Sequence, residues 1–215
     1  MPSNLMLPGL DRLITVCKRH ALPMQFSPPL ASAPRQGDMI FGESLDPQLA
    51  AVYQRLGAAE FSEFALHAPS SDEEGLTRQN EWLRERHEVQ YLSSLVFGWE
   101  PGFAFYYGTV PRLADPRGLQ PVVYICAMEG LFAVPLASSV DRFFNLYSRY
   151  LELMVQDPHY LIDGLPHVQF PWHMRTYVAQ DAPLIHQVRA GRFDFLSNGY
   201  RGALKWLHEL RALPP

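Results

Sequence analysis

Serine, histidine and carboxylate side chains are the groups that would carry hydrolysis, and several of them stand at spacings that can be judged. Ser138 and Ser139 precede Asp141 at the start of a stretch with helical apolar spacing. A serine nucleophile needs a base and a sharp turn that exposes its oxygen, and the sequence holds no Gly-x-Ser-x-Gly elbow. Serines and an aspartate at a helix start satisfy its unpaired N–H groups instead, and capping is the reading favoured for them. His159, His167 and His173, with Asp157 and Asp163, offer imidazole and carboxylate ligands of the kind that hold zinc. Their separations of eight and six residues across prolines match no His-Glu-x-x-His pair on one helical turn. No Gly-rich phosphate loop ending in Gly-Lys-Ser/Thr is present. No metal, cofactor or catalytic residue is therefore expected. A small hydrolase or metal-dependent enzyme built on residues 157–186 stands as the alternative.

Recognition is the other chemistry these residue types could supply. Asp72-Glu73-Glu74 lies just before a predicted helix, where the macrodipole favours negative charge by roughly 0.3–1 kcal/mol. A second reading makes it a mimic of nucleic-acid phosphate that plugs a basic cleft on a partner. Trp99, Tyr106, Tyr107 and Trp172 fall in or near turns and strand ends, and Tyr and Trp dominate binding hot spots because they bury much area with few torsions to freeze. Tyr106 and Tyr107 are adjacent on a predicted strand, so at least one of them packs inward.

These residues are positioned by an alternation of helices and short strands. Helical spacing runs over Leu10–His20, and from the Asp46-Pro47 start to Gly57. Residues 23–42, with Pro28-Pro29, Pro34 and Gly37, read as an extended connection. Phe61–His67 is expected as one strand, Pro69–Gly75 as an acidic loop and Leu76–Tyr91 as a helix. Strands follow over Leu92–Phe97, Phe103–Tyr107, Pro121–Cys126 and Leu131–Val134, with turns at Gly98–Gly102 and Glu129-Gly130. Val140, Phe143, Phe144, Tyr147, Leu151 and Met154 then mark one face of a helix. Residues 158–183 are rich in proline and histidine, and a last amphipathic helix spans Asn198–Leu213. The expected class is α+β: an antiparallel sheet of about four to six strands, helices on one side, and a helical C-terminal extension.

Composition bounds the function. Of 215 residues 47% are hydrophobic, 13% aromatic and only 19% charged, which excludes global disorder. The net charge of −4 gives no general attraction to nucleic acid or anionic lipid, and no basic patch stands out. No run approaches the ~18 apolar residues of a membrane span, and Met1–Gly9 does not read as a secretory leader. The two cysteines, Cys17 and Cys126, read as buried thiols of a reducing compartment, so a cytoplasmic protein is expected.

The order of parts in 92–153 carries a further signal. Pro121-Val122-Val123-Tyr124, the Gly130 turn and Leu136-Ala137-Ser138-Ser139-Val140-Asp141-Arg142-Phe143-Phe144 resemble the SUKH superfamily, the Smi/Knr-like proteins. Val140 stands where that family usually has an aromatic residue, and Arg142 where it has an acidic one. The resemblance implies an immunity protein, active in bacterial competition, that binds and neutralises a cognate polymorphic toxin by occluding its active site. It further implies that the chain is not an enzyme. A regulatory scaffold of the same fold is the other binding alternative. The expected organisation is an N-terminal helix and proline-rich connection over 1–45, a SUKH-like core over 46–156, and a helical extension over 157–215 packed on it. The expected partner-binding residues are Asp72, Glu73, Glu74, Trp99, Glu100, Tyr106 and Trp172.

Overall fold

A computed structural model of the chain describes residues 5–128 and 130–213. Met1–Asn4, part of the segment read for a leader, and Glu129, half of the expected Glu129-Gly130 turn, lie outside the described residues. Among the described residues the elements in order are α1 (Pro8–Arg19), β1 (Met24–Phe26), β2 (Met39–Ile40), β3 (Glu43–Ser44), α2 (Pro47–Tyr53), β4 (Ala59–Phe61), β5 (Phe64–Leu66), α3 (Leu76–Arg84), α4 (Val89–Leu92), β6 (Leu95–Trp99), β7 (Phe105–Thr109), β8 (Val122–Cys126) and β9 (Phe132–Ala137). Then come α5 (Val140–Met154), α6 (Pro158–Asp163), α7 (Arg175–Val178), α8 (Ala182–Arg189) and α9 (Arg201–Ala212), with short 3-10 turns between some of them.

The class is α+β, as expected. Seven strands form one antiparallel sheet in the order β1-β4-β5-β6-β7-β8-β9, while β2 and β3 pair separately as a hairpin. The sheet exceeds the expected four to six strands for two local reasons. Ser62 takes a left-handed conformation (φ 59°), so the run expected as one strand folds back on itself as β4 and β5. Met24–Phe26, within the stretch expected as a connection, pairs with β4. Left-handed His87 (φ 55°) divides the helix expected over 76–91 into α3 and α4. The expected Gly98-Trp99 turn is strand, ending β6, and the proline-rich 158–183 holds α6, α7 and the start of α8.

α5 covers one sheet face. Its Ser139 cap accepts a hydrogen bond from the Arg142 amide (3.4 Å), and the Phe143 ring sits 5.1–5.7 Å from Phe64, Phe97 and Tyr107. Asp141, one of the residues considered for chemistry, is spent on packing. Its Oδ1 accepts from the amides of Gly9 (2.8 Å) and Leu10 (3.2 Å), capping α1 where that helix crosses α5. Glycine is required at position 9, because a Cβ there would lie 2.0 Å from the Asp141 carbonyl oxygen. Asp46 does the same for α2, accepting from Gln48 and Leu49, and its second oxygen accepts from the Gln120 amide.

The opposite face is covered over β7–β9 as well: Tyr91 of α4 packs edge-on against Tyr106 (6.1 Å), and Gln90 donates to the Leu196 carbonyl (3.0 Å). The C-terminal extension closes the β9 edge, where Asn198 donates to the Leu131 carbonyl (3.0 Å) and the Trp206 indole to that of Pro135 (3.1 Å). No helix among the described residues is long and apolar enough to cross a membrane.

Candidate functional site: an open sheet face around Trp99

At the β1 end of the sheet the outer face carries a groove, with Gln25 and Glu60 exposed, Trp99 half-buried and Ala65 buried at its floor. Ladder partners place Gln25, Glu60, Ala65, Trp99 and Tyr106 in one row across five strands, and directly opposed side chains share a face. Trp99 reaches this row through a bulge. Between Val96 and Gly98 the register with β7 shifts by one residue. Phe97 is fully buried among the core aromatics, and a Cβ on Gly98 would lie 2.4 Å from the Phe64 ring, so both consecutive residues face the core. Alternation therefore restarts one residue late, and Trp99 points outward.

A second ring holds the indole there. His67 stacks on Trp99 at 4.1 Å between centroids and 18° between planes. The Glu74 carbonyl oxygen lies 3.1 Å from His67 Nδ1 and can only accept, so the imidazole proton sits on Nδ1. His67 is only 4% exposed, and burial pushes its pKa down to about 4, which keeps the ring neutral at physiological pH. Nε2 has no partner among the described residues. The same contact anchors the acidic loop at the edge of the imidazole, and Gln79 also holds it by donating to the Glu73 carbonyl (2.9 Å).

The result is a groove of about 390 Å³ whose lining includes Gln25, Phe26, Glu60, Ala65, Glu74 and Trp99. Gln25 donates to Glu60 (2.6 Å), and among the described residues no Lys or Arg lines this groove. Glu73 faces a neighbouring cleft of about 320 Å³ with Arg78, Gln79, Trp82 and Glu85. The exposed loop thus stands between two concavities, one walled by Trp99 and the other by Trp82, whose ring has the Arg86 guanidinium 4.4 Å above it. An aromatic surface flanked by carboxylates can bury an apolar partner side chain and attract basic neighbours around it.

The fold therefore unites some of the residues expected to bind a partner and separates others. Glu74 and Trp99 share the groove, Tyr106 continues its row half-buried beneath Tyr91, Glu73 lines the next cleft, and Asp72 is exposed beside it. Glu100 turns to the α5 side, where it accepts a hydrogen bond from the Tyr107 hydroxyl. Burial raises its carboxyl to about 7, with the nearby Glu63 charge adding in the same direction. Trp172, within the extension, lies between the sheet and α9, edge-on to Tyr124 (6.2 Å) and Trp206 (5.6 Å). Sequence reasoning passed over His67, Glu60 and Gln25. Glu60 and Ala65 carry the alternation that would have found them, but Ser62 interrupts it.

The histidine-rich region does not gather its ligands. Asp157 accepts from the amides of His159 (2.9 Å), His167 (2.6 Å) and Val168 (3.2 Å), and so caps α6 and ties down the following turn. The rings of His159 and His167 stack at 3.5 Å, while His173 Nδ1 accepts from the Gln169 amide (2.8 Å). Among the described residues no three His, Cys, Asp or Glu side chains converge where an ion could sit. Cys17 and Cys126 are free and buried, and burial raises the Cys17 thiol to about 11, away from the thiolate that reacts.

No family model, curated protein or solved structure matches the chain.

Proposed function

We propose that this chain is a binding protein of the immunity type, acting in the cytoplasm of the cell that makes it. It recognises a toxin domain through the open sheet face around Trp99 and blocks that domain's active site by occlusion. It performs no chemistry of its own. The observation that carries this reading is the bulge-directed Trp99 on its buried His67 support, set between Glu60 and Glu74 in an open groove. A rigid indole at the centre of a concave surface is the kind of group that supplies the largest share of interface energy, because it buries a large area and loses little side-chain freedom. The resemblance of 121–144 to the Smi/Knr-like proteins supports the choice of a toxin as partner.

The test is co-expression with the product of the adjacent upstream gene, read by growth rescue and pull-down. The intact chain is expected to bind and rescue. Trp99→Ala is expected to weaken binding by about 2 kcal/mol or more, roughly 30-fold, with the variant still folded and unfolding cooperatively in a thermal melt. Failure of every toxin-like neighbouring product to bind the intact chain would overturn the proposal.

A further inference from the structure

A separate pocket of about 170 Å³ opens between α5 and the segment leading into α8, lined by Arg142, Asn145, Arg149, Tyr177, Gln180 and Asp181 over an apolar floor. Positions 142, 145 and 149 lie on one face of α5. At 1.5 Å rise per residue the two arginines are about 10 Å apart along the axis, so their long side chains bracket one site from either end.

The charges in this pocket are not balanced internally. Arg149 is half-buried and makes no ion pair among the described residues, and its guanidinium lies 5.5 Å from the Tyr177 ring centroid. Arg142 forms an ion pair with Asp181 at 3.6 Å, too long for a hydrogen bond. Asp181 is occupied elsewhere, because its oxygens accept from the Ser138 amide (2.7 Å) and the Leu184 amide (3.3 Å) to cap α8. The Asn145 side-chain amide has no hydrogen-bond partner among the described residues. Two guanidinium groups against one committed carboxylate leave a local positive charge in a chain whose net charge is −4. Planar, fork-shaped donors of this kind match phosphate oxygens, and the volume suits a headgroup better than a drug-sized ligand, for which ~300 Å³ or more is usual.

We propose that this pocket binds a phosphate group, free or as the monoester of a small metabolite. It is independent of the Trp99 groove, so failure here leaves the partner-binding reading standing. The experiment titrates inorganic phosphate and, separately, glycerol phosphate into the full chain at matched ionic strength in chloride, following the arginine Nε–Hε resonances by NMR. Saturable shifts of Arg142 and Arg149 with a dissociation constant of about 1 mM or tighter are expected. Tighter binding of glycerol phosphate identifies a monoester as the natural source, and equal binding identifies free phosphate. Arg149→Gln is expected to weaken binding about tenfold or more, and the exposed Arg142→Gln, which leaves the core untouched, to do the same. The proposal is overturned if neither phosphate compound gives a saturable shift, if chloride alone reproduces it, or if both variants bind as the parent does.

Discussion

His67 supports Trp99 as a neutral ring, and that neutrality ties stability to pH. Its native pKa near 4 lies below the ordinary 6.5, so between these values the unfolded chain takes up a proton that the native chain refuses. Its contribution is therefore complete above about pH 6.5 and is lost as pH falls to about 4, by on the order of 3 kcal/mol at 1.36 kcal/mol per pH unit. Glu100 works in the opposite sense. Its native pKa near 7 lies above 4.5, so the native chain holds a proton the unfolded chain has released, and its contribution fades as pH rises from about 4.5 to 7. Asp46, raised to about 6 by burial, acts in the same direction as Glu100. Glu100 and Asp46 together outweigh His67, so the parent is expected to lose stability as pH rises through this range. In urea titrations between about pH 4.5 and 7.5, Glu100→Gln is expected to flatten the profile, because His67 is then opposed by Asp46, and His67→Gln to make the fall with pH steeper. Parallel profiles for the parent and both variants would refute this assignment. The acidic loop makes a different prediction, since Glu73 and Glu74 are exposed. Reversing both to Lys should weaken binding of the proposed partner with a strong salt dependence, checked by calorimetric titration at two ionic strengths.

At the scale of elements the bulge in β6 links core packing to the proposed binding face. A Cβ at position 98 would lie 2.4 Å from the Phe64 ring and 2.7 Å from the Ala65 carbonyl oxygen. Phe64 cannot move aside cheaply, because it packs against Phe97, Tyr107, Phe143, Phe144 and Tyr147. Gly98→Ala is therefore expected to destabilise the fold by about 1–3 kcal/mol in chemical denaturation and to weaken partner binding as Trp99 loses its aim. Unchanged stability would mean that β6 accommodates a side chain there and that the bulge is not held by packing. The same bulge shows where sequence reading stops. Helix α5 was legible because a serine cap and an apolar face are local signals, and so were the Asp46 cap and the apolar run of β8. The outward direction of Trp99 depends on Phe97 and Gly98 both facing the core, and the pattern of types along the strand does not announce that exception. Hairpin β4–β5 was hidden for a related reason: its turn uses Ser62 in a left-handed conformation with no glycine, asparagine or proline to mark it.

For the whole molecule, the low charge and many aromatic residues find their place in the join between sheet and extension. Phe132 stacks on Tyr200 (4.2 Å, 3°), Trp172 packs edge-on to Trp206, and one hydrophobic core runs from Leu7 to Leu210. The extension also resolves a hazard of open sheets, since an uncovered edge offers unpaired carbonyls to other chains. Asn198 and Trp206 occupy the Leu131 and Pro135 carbonyls at the β9 edge, and Asp181 accepts from the Ser138 amide just beyond it. Ending the chain after Gln156 would remove all three contacts and expose the Tyr124 and Phe132 rings that Trp172 covers. Such a truncation should lose cooperative unfolding and aggregate, measured by soluble yield and by the sharpness of the thermal transition. Trp206→Phe keeps most of the packing but leaves the Pro135 carbonyl unpaired, and should cost about 1–3 kcal/mol while the chain stays soluble. A truncated chain that unfolded cooperatively and still bound its partner would make the extension dispensable to the fold and return attention to the residues it contributes to the arginine pocket.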